Sequence, residues 1–126
     1  MTARLDRAED AAGPLVRAIG PDGFLIGEER FAAVLLTPNG ATLWSPPPLA
    51  ELAEADIAPL LALDPPPELI LLGAGAATAF PPRSFVAALE ARGIGVEAMD
   101  SRAAARTWAL LRNEGRSIAA ALMPIG

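Results

Sequence analysis

The sequence predicts a domain of the α/β class, with helices packed on a parallel or mixed sheet and a β-meander in front of it. Three observations predict it. In the strand-like run Glu68-Leu69-Ile70-Leu71-Leu72, residues 69–72 are apolar on both faces and the run breaks at a Gly73-Ala74-Gly75 turn, as a strand covered from both sides does. Beyond it the periodicities alternate strand, helix, strand, helix, strand, an order that builds a sheet through helical crossovers. Before it, short β-like pieces separated by glycine turns fill residues 15–44.

Taken in order, residues 1–13 mix charge and alanine without a period and are expected to form a flexible arm, leaving residues 14–126 as a single domain. Leu15-Val16-Arg17-Ala18-Ile19 runs into Gly20-Pro21-Asp22-Gly23, where proline presets φ and glycine is free to take positive φ. Phe24-Leu25-Ile26 follows, then the charged bend Gly27-Glu28-Glu29-Arg30. Residues 31–37 and 41–44 flank Pro38-Asn39-Gly40, and Asn-Gly between apolar runs is a strong hairpin signal. Pro46-Pro47-Pro48 ends the pairing by removing backbone donors. Asp56 is expected to cap a short helix carrying Ile57, Leu60 and Leu61, which Pro65-Pro66-Pro67 closes.

After the strand at residues 69–72, the helix following Pro82 puts Phe85, Val86 and Leu89 on one side, with Gly93 as its C′ residue. Gly95-Val96-Glu97-Ala98-Met99 reads as a short strand. Ser101 is expected to cap the next helix, whose Ala104, Trp108 and Leu111 share a face and which Gly115 ends. Residues 117–123 form a closing strand stopped by Pro124.

Composition narrows the chemistry. The chain is 52% hydrophobic, much of it alanine, which calls for a core built by close approach of elements rather than by large side chains. It has no Cys and no His, and its basic residues are all arginine. The usual zinc and iron–sulfur ligand sets, a proton shuttle near neutrality and a Schiff-base lysine are therefore missing. Carboxylates, hydroxyls, arginines and backbone groups are what remains. This weighs against an enzyme, and neither a catalytic residue, a metal site nor a cofactor is expected. A net charge of −5 without any basic run speaks against nucleic acid. The first residues lack the apolar core of a signal peptide, and no apolar run is long enough to span a bilayer. A cytoplasmic protein is expected, and its alanine, proline and arginine usage points to a bacterium of high genomic G+C.

Chemistry has one candidate corner. Gly73, Ala74 and Gly75 follow a strand and precede a helix, the placement of a phosphate loop. The third glycine of a dinucleotide fingerprint would fall at Thr78, and no Gly-Lys-Ser/Thr follows. The alternative is a tight turn that needs positive φ. Phe80-Pro81-Pro82 makes a rigid start for the next helix. Asp100, Ser101, Arg106 and Thr107 lie where one strand passes into the following helix, and Arg106 stands one turn along from Arg102. A carboxylate and two guanidinium groups beside a glycine turn could bind a small anion or nucleotide; a capped helix with a solvated arginine is the plainer alternative. Asp100 and Glu97 do not form an acid–base pair, since strand alternation puts them on opposite faces. Trp44 and Trp108 are read as core or rim anchors, with a protein-binding patch around Trp108 as the other option.

The pieces Leu69-Ile70-Leu71-Leu72-Gly73-Ala74-Gly75, Phe80-Pro81, residues 93–101, Ala104-Ala105-Arg106-Thr107 and residues 114–122, with Asp22-Gly23-Phe24-Leu25-Ile26-Gly27 and the hairpin at residues 38–44, together resemble the small α/β domain family of the mitochondrial complex I (NADH:ubiquinone oxidoreductase) assembly factor 3. The resemblance covers residues 15–124. It implies a three-layer α/β domain with a mixed central sheet and additional β structure on one side. It implies no settled enzymatic activity. The eukaryotic relative helps to assemble a membrane respiratory complex, and bacterial relatives are often encoded near protein-export genes. Relatives tend to carry an aromatic-Asn pair after Arg-Thr, where Trp108-Ala109 stands here, and Thr or Ser between the glycines, where Ala74 stands. The expectation is a non-catalytic binding or assembly-factor-like module with a membrane-complex subunit or another protein as its client. A small-anion or nucleotide site at residues 73–75 and Arg106 is the alternative, and an enzyme using Asp100 and Arg106 a third.

Overall fold

The computed structural model describes residues 13–126; the expected arm, apart from Gly13, lies outside the described residues. The turn at Pro21 and Asp22 joins β1 (Val16–Gly20) to β2 (Gly23–Ile26), and the bend at Gly27 and Glu28 joins β2 to β3 (Glu29–Phe31). These strands form an antiparallel sheet in the order β1-β2-β3. Gly23 sits at φ +117°, and a Cβ there would run into the carbonyl of Phe31 across the ladder. Both its dihedral and its space therefore require glycine.

The meander expected over residues 15–44 is divided between two sheets. Ala32 and Ala33 make a bend, and β4 (Val34–Thr37) and β5 (Gly40–Leu43) then pair with each other in a second sheet. Phe31-Ala32-Ala33-Val34 carries no turn residue, so nothing local marks the break. Its cause is burial: Phe31 packs in one cluster with Phe24, whereas Ala33 and Leu35 pack on the opposite side of the second sheet.

That second sheet is the centre of the molecule. β6 (Leu69–Gly73), β7 (Gly95–Met99) and β8 (Ile118–Leu122) complete it in the order β5-β4-β8-β6-β7. β6 runs parallel to both β7 and β8, while β4 runs antiparallel to β8, so the sheet is mixed, as expected. Side chains alternate between two cores. Leu35, Ile70, Leu72, Ala119 and Ala121 face one, whereas Val34, Leu36, Leu71, Ile118, Ala120 and Leu122 face the other.

Helices cover both faces. α1 (Ala58–Leu61) and α2 (Arg83–Glu90) lie on the first, bringing Leu60, Phe85 and Leu89 to its core. α3 (Ser101–Asn113) lies on the second with the small sheet, adding Ala104, Ala105 and Trp108 to Phe24 and Phe31. The result has three layers, with extra β structure on the α3 side. Alanines at positions 119, 120 and 121 keep the middle strand thin, so α3 packs directly on β6 and β8.

Two local expectations are corrected. Asp56 does not cap α1; its carboxylate accepts from Ala53 N at 2.8 Å and closes a 3-10 turn, Glu54–Ile57, ahead of the helix. Ser101 does not cap α3; Asp100 does, with Oδ1 accepting from Ala103 N at 2.8 Å. Both serine and aspartate are good caps, but here the serine is one residue inside the helix and turned inward. The ends of α2 and α3 match the sequence reading. Gly93 at φ +81° lets Ile94 N reach Leu89 O, and Gly115 at φ +77° lets Arg116 N reach Leu111 O.

Candidate functional site

The topology itself selects a site. The chain leaving β6 enters α2 on one face of the sheet, and the chain leaving β7 enters α3 on the other. Where neighbouring parallel strands send their connections to opposite faces, a crevice opens at the carboxyl ends, and α/β proteins bind ligands there. In this chain that point is Gly73-Ala74-Gly75 beside Asp100-Ser101.

The crevice is filled from within. Ser101 is fully buried; its Oγ accepts from Gly75 N at 3.0 Å and donates to Met123 O at 2.7 Å. Ser101 N donates to Gly75 O at 2.8 Å, Ala74 N donates to Met99 O at 2.7 Å and Met123 N donates to Gly73 O at 2.9 Å. One hydroxyl therefore ties together the ends of β6, β7 and β8. Of the residues expected to form the corner, Gly73, Ala74, Gly75 and Ser101 do come together, with Asp100 next to them.

The two glycines serve this closure in different ways. Gly75 takes φ +110°. Gly73 has ordinary backbone angles but no room: a Cβ would lie 2.7 Å from Ser101 Oγ and 2.9 Å from Leu122 Cδ2. The amides of Ala74 and Gly75, which a phosphate loop would turn outward, donate inside the fold.

The remaining corner residues lie around this cluster without joining it. The Asp100 carboxylate is engaged by its own helix. Thr107 Oγ1 approaches Met99 Sδ at 3.6 Å. Arg106 is exposed and makes no hydrogen bond or ion pair to another described residue. Arg102, one turn earlier, donates to Ile19 O at 3.3 Å and so ties α3 to the small sheet. Among the described residues no group of carboxylates could hold a metal ion. Trp44 and Trp108 are buried, and their indole N–H groups donate to Asp56 O and Pro14 O, as anchors in a core do.

Phe80 belongs to a different feature. It is 74% exposed, unusual for so large an apolar side chain. It stands at one end of a groove of about 580 Å³ between α2 and β7. Val86 and Ala87 of α2 form one wall and Val96 and Ala98 of β7 the other, with Arg83, Glu90 and Glu97 also on its lining. Apart from Phe80, sequence reasoning missed this groove. Its one signal is the alternation Val96-Glu97-Ala98, a charge in the middle of a short strand, which marks an edge.

Over 117 residues the chain is 31% identical to a zebrafish (Danio rerio) protein named NADH dehydrogenase [ubiquinone] 1 alpha subcomplex assembly factor 3, covering 92% of this chain and 67% of that protein. The bovine (Bos taurus) protein of the same name is 30% identical over 81% of this chain, which spans only 56% of its length. Among solved structures, a Bordetella pertussis protein described as an Mth938-like domain superposes with a TM-score of 0.68 at 32% identity, covering 92% of this chain and 88% of its own. Residues 16–123, from the first strand of the small sheet to the end of the last strand of the large one, match the family model described as protein of unknown function DUF498/DUF598, and the chain belongs to that family.

Proposed function

We propose that this chain is a non-catalytic, protein-binding module that assists assembly of a complex I-like respiratory membrane complex. The observation that carries the reading is the identity to a named assembly factor along 92% of the chain. The geometry supports it: the place where an α/β sheet would hold a small ligand is occupied by the protein's own Ser101, while an apolar groove stands open beside it. No helix among the described residues is long and apolar enough to cross a membrane, so in this reading the cytoplasmic protein meets the membrane through its client.

The test is deletion of the gene in its host, with NADH:quinone oxidoreductase followed by native gel electrophoresis and in-gel activity. Loss of the mature complex, with smaller subassemblies in its place and recovery on complementation, is the expected result. A mature complex at wild-type abundance overturns the reading. Binding of a small anion would rest on the arginine side chains of α3 rather than on the glycine turn, because the Ala74 and Gly75 amides are engaged.

A further inference from the structure

Among the described residues β7 is an edge of the central sheet: β6 pairs with one side of it and no strand with the other. In a parallel ladder, alternate residues direct both backbone groups to the same neighbour. Gly95 N bonds Glu68 O, and Met99 O accepts from Ala74 N, so Gly95, Glu97 and Met99 face β6. The N–H and C=O groups of Val96 and Ala98 consequently face off the sheet. Their side chains pack on the α2 face, where Val86 and the exposed Phe80 continue the apolar surface. Backbone groups open along an edge, beside a groove for every second side chain, are the two requirements for adding a strand.

We propose that the β7 edge receives an extended segment of another protein, apolar at alternate positions and basic between them. The occupant follows from charge. Glu97 stands at the centre of β7, exposed, and neither it nor Glu90 forms an ion pair among the described residues. A residue directly opposite Glu97 projects from the same face as Glu97, and opposite charges across a strand pair are favourable. Its two neighbours then enter the groove against Val86 and Phe80. A second copy of this chain fits badly, because two-fold antiparallel pairing centred on this strand sets Glu97 against Glu97. The inference deepens the assembly reading and rests on it for the nature of the partner, a protein client.

Two capped heptapeptides of alternating valine and threonine, one with arginine and one with glutamate at the centre, are the probes. Each is titrated into isotope-labelled protein and followed by NMR. Saturable shifts on β7 and α2, slowed exchange of the Val96 and Ala98 amides and a roughly five- to tenfold preference for the arginine peptide are expected. Glu97→Lys reverses the preference, and Phe80→Ser weakens both peptides without altering the fold, since the ring is exposed. Absence of saturable shifts on β7 at millimolar peptide, equal affinity for the two peptides, or concentration-dependent self-pairing through β7 overturns the inference. The two readings fail separately. If the gene deletion blocks assembly but a chromosomal Glu97→Lys, Phe80→Ser double variant assembles normally, the edge site falls and the assembly role stands. If the peptides bind as expected while the deletion strain assembles normally, the edge site stands and the assembly role falls.

Discussion

Among the described residues Ser101 is the one buried polar side chain. Its hydroxyl joins Gly75 N and Met123 O in a buried place, and no buried side-chain nitrogen or oxygen among the described residues lacks a partner. Ser101→Ala leaves that amide and that carbonyl facing a methyl group. An unsatisfied buried polar group costs about 1–3 kcal/mol, so urea denaturation should show a loss of roughly 2–6 kcal/mol, because two groups are affected. Gly73→Ala presses on the same hydroxyl from β6 and should destabilise by about 1–3 kcal/mol through overpacking. Together the two changes should cost less than their sum, since removing Oγ takes away the nearest clash. Additive losses would show that Gly73 and Ser101 act independently, contrary to the packing described. The sequence shows a glycine pair after a strand; that the first glycine is needed for space and the second for its dihedral depends on a serine 26 residues further on.

The start of α3 illustrates what local sequence can and cannot tell. Asp100 and Ser101 are both good capping residues, and which of them caps is decided by the direction in which β7 delivers the chain. With β7 in register against β6, Ser101 arrives over Gly73 and Gly75 and is drawn inside, which leaves the cap to Asp100. Asp100→Ala should therefore lower stability by about 1 kcal/mol and Asp100→Asn by far less, with thermal unfolding as the measurement. Equal losses for the two variants would mean that the carboxylate's charge, rather than its acceptor oxygen, is what the helix needs. Turns and helix ends were legible because they are written in adjacent residues: Asp22-Gly23, Asn39-Gly40, Gly93-Ile94 and Gly115. The order of strands in the sheet is not written locally. In Gly95-Val96-Glu97-Ala98-Met99 the charge at Glu97 is the one local sign of an edge, and the groove beside β7 also needs α2 packed against the strand, which no local residue states, although Phe80 could be picked out.

How the layers hold together is a matter of shared strands. β4, β6 and β8 each send alternate residues into the core under α1 and α2 and into the core under α3 and the small sheet. The exposed ion pairs Arg92–Glu54 and Arg116–Glu68, at 2.7 and 2.8 Å, fasten loops at the surface and each contributes at most about 1 kcal/mol. Cohesion therefore comes from the sheet, and neither core can be lost without stripping one face of the strands that carry the other. The two tryptophans offer a way to test this, because Trp44 lies in the first core and Trp108 in the second. Trp44→Phe leaves fluorescence that reports only on the α3 side, and Trp108→Phe leaves only the α2 side. In both variants the urea transition followed by fluorescence should superimpose on the one followed by far-UV circular dichroism, as a single cooperative unit requires. The variants' midpoints will differ, since each substitution removes its own packing and indole hydrogen bond; what decides the matter is coincidence of the two probes within each protein. If Trp108 fluorescence changes before the circular dichroism does, then the small sheet and α3 separate from the rest, and cohesion through shared strands is the wrong account.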